Sequence, residues 1–304
     1  MPKTARVTAQ GAAAKLDVSA WPRIALVTPV LNSGKYIEQT IRSVLAQGYP
    51  NLDYFIVDGG STDGTLNIIG KYESQISGWM SEPDSGMYDA LNKGFARTSG
   101  EIMGWISATD MLHPGGLTAV GAIFRDLPGV EWITGRPSTF TEDGVTTRVE
   151  GVPHWSRWRF LAGANRHIQQ ESTYWRRSLW DKAGGRVDAT RRWASDFELW
   201  VRFFRHARLY PADVLIGGFR ANRDSLGLQN AEECLRIQDE IIETELQGMV
   251  WGKAMKVMRA TGRAVKGIPV ARGIWRRLVT NSLYRLPGQD WPPTIRYFEK
   301  AYFE

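Results

Sequence analysis

Over the first hundred residues, short apolar runs alternate with polar loops and with stretches of helical periodicity. Ile24 to Thr28 (IALVT) reads as a short buried strand, and Pro29 with Asn32-Ser33-Gly34 makes the turn after it. From Lys35 to Gln47 the apolar residues Ile37, Ile41, Val44 and Leu45 fall at helical spacing. Asp53 to Val57 (DYFIV) is a second strand, and Asp58 to Gly64 is the loop at its end. A helix from Thr65 to about Tyr72, a strand from Ser77 to Ser81, a helix from Tyr88 to Arg97 and a strand from Ile102 to Ile106 follow. This alternation predicts an α/β fold with a mostly parallel sheet flanked by helices, whose ligand lies beyond the carboxyl ends of the strands. Trp193 to Phe204 reads as a helix with Ser195 and Asp196 near its start, and Asn230 to about Ala260 as one long helix.

Composition adds limits. A chain of 304 residues has room for one large α/β domain or two small ones. The single cysteine, Cys234, excludes an internal disulfide and a cysteine-rich zinc site, and fits a reducing compartment. Residues 1–22 lack the apolar centre of a secretory signal and are expected to be a flexible leader. No apolar run is long enough for a transmembrane helix. The expected division is a catalytic domain over 23–228 and a helical extension over 229–304.

Charge is unevenly placed. Residues 248–304 hold 11 basic and 3 acidic side chains, a net +8, while the rest of the chain carries −2. Lys256, Arg259, Arg263 and Lys266 fall within about 80° on a helical wheel, with Trp251, Met255, Met258 and Val265 on another side. After Pro269 the style repeats, with Ile274, Trp275, Leu278 and Leu283 beside Arg272, Arg276, Arg277 and Arg285. Basic faces against Trp and Leu faces are similar to interfacial membrane helices; the competing account packs the same apolar residues on the catalytic domain. No nucleic-acid-binding module is recognised, so no nucleic-acid partner is expected.

Five segments come in order at suitable spacings: Thr28-Pro29; Asp58 to Thr65 (DGGSTDGT); Ser81 to Gly94 (SEPDSGMYDALNKG); Gly100-Glu-Ile; and Ser195 to Trp200 (SDFELW). Together they resemble glycosyltransferase family 2, with its GT-A fold, over roughly residues 23–225. By itself Asp58 also reads as an Asx-turn cap; the resemblance implies that it meets the nucleotide base, with Thr28, Pro29 and Asp63 nearby. Asp89 and Lys93 share a helix face and also read as a surface ion pair, with Asp84 and Ser85 capping. The resemblance instead places Asp84, Asp89, Asn92 and Lys93 against the nucleotide and donor sugar.

At Ser107-Ala-Thr-Asp110 the family usually has two adjacent acids. This chain has Thr109 and Asp110. The resemblance makes Asp110 the ligand of Mn²⁺ or Mg²⁺, hard cations that bind oxygen, with Thr109 toward the donor. Asp196 matches the general base of inverting transfer; its competing reading is a helix N-cap with Glu198 in the first turn. Gln170, Glu171 and Trp175 are placed on the acceptor side, and Arg220 against the diphosphate. Two residues later the family often has His, where this chain has Asn222, with Arg223 as a substitute. Trp155, Trp158, Trp175 and Trp193 read either as sugar-stacking surfaces or as packing.

The expected activity is inverting transfer of a sugar from a nucleotide-diphospho-sugar, UDP-linked by the resemblance, to a hydroxyl of a saccharide or lipid-linked acceptor. The expected place is the cytoplasm, peripheral at the inner membrane face. The alternative is a weakly active or inactive sugar-nucleotide-binding homologue. A nucleotide-binding oxidoreductase lacks support, because no G-x-G-x-x-G follows the first strand.

Overall fold

The computed structural model describes residues 5–8, 20–163, 166–221, 229–265, 268–283 and 292–298. Its centre is a seven-stranded sheet in the order β11-β7-β10-β5-β2-β3-β4. The strands are β2 (Ile24–Val30), β3 (Leu52–Asp58), β4 (Gly78–Ser81), β5 (Ile102–Trp105), β7 (Trp132–Thr134), β10 (Thr173–Arg176) and β11 (Leu209–Pro211). The strands β4, β3, β2 and β5 run parallel, as do β7 and β11, while β10 is antiparallel to both its neighbours. The architecture is therefore the expected mixed α/β fold with a mostly parallel sheet.

The middle strands are buried on both faces, which is why they read as continuous apolar runs. In β2, Ile24 and Leu26 face one core with Ile56, while Ala25 and Val27 face the other with Val57. Helices α1 (Ile37–Leu45) and α4 (Gly116–Asp126) cover the first face. Helices α3 (Met87–Ala96) and α7 (Ser195–His206) cover the second. Strand β2 runs two residues beyond the expected end at Thr28. Pro29 lies where pairing with β5 has ceased and only β3 remains as partner, so its missing N–H is tolerated.

A smaller sheet, β6-β12-β8-β9, stands beside the carboxyl end of β5. It comprises β6 (Met111–Leu112), β8 (Ser138–Phe140), β9 (Thr146–Val149) and β12 (Gly217–Arg220). Its importance is positional, because β12 brings residues 217–220 against the end of the main sheet.

Two expectations about the ends change. Within the expected leader, β1 (Ala5–Thr8) pairs in parallel with β13 (Ile295–Phe298), so these four residues are tied by backbone hydrogen bonds. The expected single helix over 230–260 is two, Ala231–Gln247 and Gly252–Ala264, with the break bracketed by Gly248 and Gly252. A third helix spans Pro269–Leu283. No helix among the described residues is long and apolar enough to cross a membrane.

The tail is partly packed on the domain and partly exposed. Met255 and Arg259 are buried, and Arg259 bonds the Leu161 carbonyl and pairs with Asp239. Arg259 therefore does not share an exposed basic face with its wheel neighbours: a buried guanidinium needs such partners. Trp275 packs on the core, and its indole N–H donates to Thr261 Oγ1 at 3.1 Å. By contrast Val270, Ile274 and Leu278, four residues apart along one helix, are 75%, 57% and 60% exposed. Lys266 and Arg285 lie outside the described residues, as do the side chains of Arg263, Arg272, Arg276 and Leu283.

Candidate active site

The loops that follow β2, β3 and β4 interlock at the carboxyl edge of the sheet. Asp58 ends β3 fully buried. Its Oδ2 accepts the N–H groups of Gly60 and Ser61, each at 2.9 Å, and the Ser81 hydroxyl at 2.7 Å. Its Oδ1 accepts the Ser61 hydroxyl at 2.5 Å. A carboxylate has about four acceptor positions, so Asp58 builds the loop and ties it to β4. Asp63 likewise accepts from Thr65 N and Oγ1 and from Gly34 N, and the Thr65 hydroxyl foremost holds its carboxyl below the usual range. Thr28 turns inward, its hydroxyl 3.0 Å from that of Tyr54, and Pro29 is buried. Asp58 and Thr28, both expected at the nucleotide, are buried here and engaged through their side chains with Ser61, Ser81 and Tyr54.

Asp84 lies against Gly59, where an added Cβ would sit 2.6 Å from its Oδ2. This is why glycine follows Asp58. Asp84 Oδ1 also accepts Gly86 N at 2.8 Å. At the start of α3, Asp89 accepts Ser85 N at 3.1 Å and pairs with Lys93 at 3.3 Å. Lys93 also reaches Glu82 at 2.9 Å and the Pro83 carbonyl, and the Glu82 contact raises its pKa. The loop therefore contains the capping and ion-pair arrangement, with Lys93 at its rim.

Across the cleft, the turn Ser107–Asp110 follows β5. Thr40 pins it by donating to the carbonyls of Ala108 and Asp110 at 2.8 and 2.7 Å. Asp110 is 3% exposed, and its Oδ1 accepts the backbone N–H of Arg220 in β12 at 2.9 Å. Thr109 is half-buried beside it. The Arg220 guanidinium is fully buried, donating to Gln39 Oε1 at 2.6 Å and the Glu142 carbonyl at 2.8 Å, over the Tyr36 ring. Arg220, expected against the diphosphate, meets Asp110 through its backbone N–H. Asn222 and Arg223 lie outside the described residues.

Strand β12 also meets the second buried acid. A Cβ on Gly217 would lie 2.1 Å from the Glu171 carbonyl oxygen, so only glycine permits this approach. Glu171, 3% exposed, accepts the side-chain amides of Gln169 at 2.5 Å and Gln170 at 3.2 Å. Gln169 in turn brackets Ser138 with both ends of its amide. Trp175 is fully buried among Trp105, Trp200, Phe95 and Phe203, so the acceptor role expected of it is corrected to core packing. Trp155 is equally buried, while Trp193 stays half-buried three residues before Asp196.

Burial pushes the carboxyls of Asp110 and Glu171 above the usual range, and the charge of Asp110 raises Glu171 further. A pair of carboxyls offering only oxygen fits a hard divalent cation, whose charge would favour their ionised forms. Among the described residues, no group of three or more His, Cys, Asp or Glu is arranged to hold one unaided.

Asp196 sits in the first turn of α7, where burial raises its pKa against the pull of the Phe197 N–H, His167 and Tyr88. The Tyr88 hydroxyl of α3 lies 3.5 Å from its Oδ1. Both ends of the Asn92 amide, expected near the donor, are held by the Val187 backbone, at 2.9 and 2.8 Å. Tyr88 was missed as a site residue by sequence reasoning. Tyr88 lies inside the SGMYDALNKG segment, but only its reach across 108 residues to Asp196 reveals it. A cavity of about 480 Å³ lined by Trp158, Arg205, His206 and Tyr210 lies at the opposite end of α7.

This fold, with paired carboxylates at its carboxyl edge, is that of a GT-A glycosyltransferase. The model of glycosyl transferase family 2 matches residues 25–178, half the chain, and the chain belongs to that family. An uncharacterized glycosyltransferase of Mycobacterium tuberculosis is 30% identical over 168 residues, which is 54% of this chain and 62% of the relative's own length. Among solved structures, S. aureus TarS 1-349 in complex with UDP-GlcNAc superposes with a TM-score of 0.59 at 16% identity, covering 78% of this chain and 70% of that one. The mannosyltransferase PcManGT from Pyrobaculum calidifontis, in complex with GDP-Man and Mn²⁺, has a TM-score of 0.54 at 15% identity over 92% of both chains. At these identities the structural likeness concerns the fold.

Proposed function

We propose that the chain is an inverting glycosyltransferase that moves a sugar from a UDP-linked donor to a hydroxyl of a saccharide or lipid-linked acceptor. The observation that carries this reading is the contact between Tyr88 and Asp196. It joins the carboxylate of α7 to α3, the helix that also carries Asp89 and Lys93 at the donor-side loop. Asp196 takes the proton of the acceptor hydroxyl as that oxygen attacks the anomeric carbon. The bond to the nucleoside diphosphate breaks with its electron pair on the leaving oxygen, and the configuration inverts. Asp110 would hold Mn²⁺ or Mg²⁺ together with the donor phosphates, and the cation would neutralise charge on the leaving group. Thr109 and Lys93 face the donor, and Gln170 and Glu171 support the acceptor side. A UDP-sugar in TarS and Mn²⁺ in the mannosyltransferase agree with this choice of ligands.

The tail is part of the same reading. The stripe Val270–Ile274–Leu278, together with the exposed Lys253 and Arg277, is suited to lie on an anionic membrane. It would bring the enzyme, from the cytoplasmic side, to a lipid-linked acceptor. The test of the transferase reading is nucleotide release from a panel of UDP-, GDP- and dTDP-sugars with Mn²⁺. Turnover lost in Asp196→Asn supports it; binding without turnover in the wild type, even with candidate acceptors present, would favour the sugar-nucleotide-binding homologue.

A further inference from the structure

We infer that helix α3 is the positioning element of the base: Tyr88 and Asn92, one turn apart, hold the segment 187–196 that presents Asp196. This rests on Asp196 being the base. Helix α7 begins without a side-chain cap of its own. Its N-cap, Ala194, has φ 58° and ψ 25°, the left-handed region that a residue with a Cβ adopts only under support. The first N–H groups of a helix have no partner within it. At the start of this helix the Tyr88 hydroxyl, buried on α3, faces Asp196 Oδ1 at 3.5 Å. The first turn of α7 is thus contacted by a buried side chain of another helix.

The other end of the segment is fixed by Asn92, which donates to the Val187 carbonyl and accepts the Val187 N–H. Between them, Ser195 Oγ donates to the Asp188 carbonyl at 2.7 Å and closes the loop on itself. Residues at i and i+4 share a helix face, so one face of α3 grips the segment twice. The same helix carries Asp89 and Lys93 at the donor loop, so donor side and base are referred to one rigid body. The contact at 3.5 Å is long, as catalytic hydrogen bonds often are before substrate binds.

The groups facing Asp196 are Tyr88 from α3, His167 from the loop before Gln170, and Cys234 from the helix Ala231–Gln247. Of these, Tyr88 alone is hydrogen-bonded to it in a way that favours the carboxylate. Removing that hydroxyl should raise the pKa of the base.

The test compares Tyr88→Phe, Asn92→Asp and Asp196→Asn, using the sugar nucleotide of the panel that the wild type turns over. For Tyr88→Phe we expect kcat to fall roughly 10- to 10²-fold, UDP affinity with Mn²⁺ to stay within about twofold, and the acidic limb of the pH profile to move to higher pH. Asn92→Asp keeps the acceptor but loses the donor, and should lower kcat at unchanged UDP affinity; it decides the matter should Tyr88→Phe not fold. Wild-type kcat and an unmoved limb in Tyr88→Phe, beside an inactive Asp196→Asn, would overturn the positioning role alone. Full turnover in Asp196→Asn would instead overturn the base, and this inference with it.

Discussion

The backbone N–H of Arg220 donates to Asp110 Oδ1 at 2.9 Å, joining two residues 110 positions apart. The turn that holds Asp110 is therefore completed by a strand from the far side of the catalytic domain. Replacing Asp110 by Asn keeps an acceptor for that N–H but removes the charge. We expect Asp110→Asn to fold, to lose the Mn²⁺ dependence of UDP binding, and to lose turnover by ~10²-fold. Normal activity in that variant, or full wild-type activity in EDTA, would end the metal-assisted reading. Thr109→Asp adds a further charge beside Asp110 and Glu171. It should destabilise the protein without cation and enlarge the thermal shift produced by Mn²⁺ with UDP. Collapse of UDP binding would mean a site rebuilt around a neutral residue.

Asp196 must be ionised to accept a proton, and burial raises its pKa. The acidic limb of the kcat/KM profile is therefore expected above the ordinary carboxylate range, with activity rising as pH rises through it. Asp196→Asn should lower kcat by ~10²–10⁴-fold and flatten that limb. Donor affinity and melting temperature falling together, with the limb intact, would mark Asp196 as a helix cap instead.

Trp175 fills the aromatic centre between β5 and α7. Trp175→Ala should destabilise the protein by about 3–5 kcal/mol, read as a lower denaturation midpoint. A sugar-stacking role would raise the acceptor KM at unchanged stability, and that result would contradict its assignment to the core.

The tail calls for point variants rather than a truncation, because Met255, Arg259 and Trp275 anchor it to the domain. Sedimentation with anionic vesicles should show binding that weakens with salt. Serine at Val270, Ile274 and Leu278 together should abolish it while leaving the melting temperature unchanged. Indifference of the wild type to anionic vesicles at low salt would remove the membrane from the account.

Much of this protein was legible along the chain. The buried strands β2 and β3, α1, α3 and α7, and the polar loops after Asp58 and before Asp110 follow from periods and turn residues that act over a few positions. The position of Asp196 near a helix start is local in the same sense. The antiparallel course of β10 was not legible, because pairing direction depends on which strand a segment meets. The break at Gly248–Gly252 was hidden by an apolar pattern that continues through it. Side-chain assignment was the least legible part. Asp58, Thr28, Arg220 and Trp175 have the right types for a binding site, yet each is directed inward by a partner far away in sequence: Ser81, Tyr54, Gln39 and Trp105. Sequence periodicity determines which residues share a face, because it repeats the geometry of one element. Which acid meets which helix, as Asp196 meets Tyr88, is decided only when separate elements pack. The energies that choose those pairings belong to contacts, and they exist only in the folded chain.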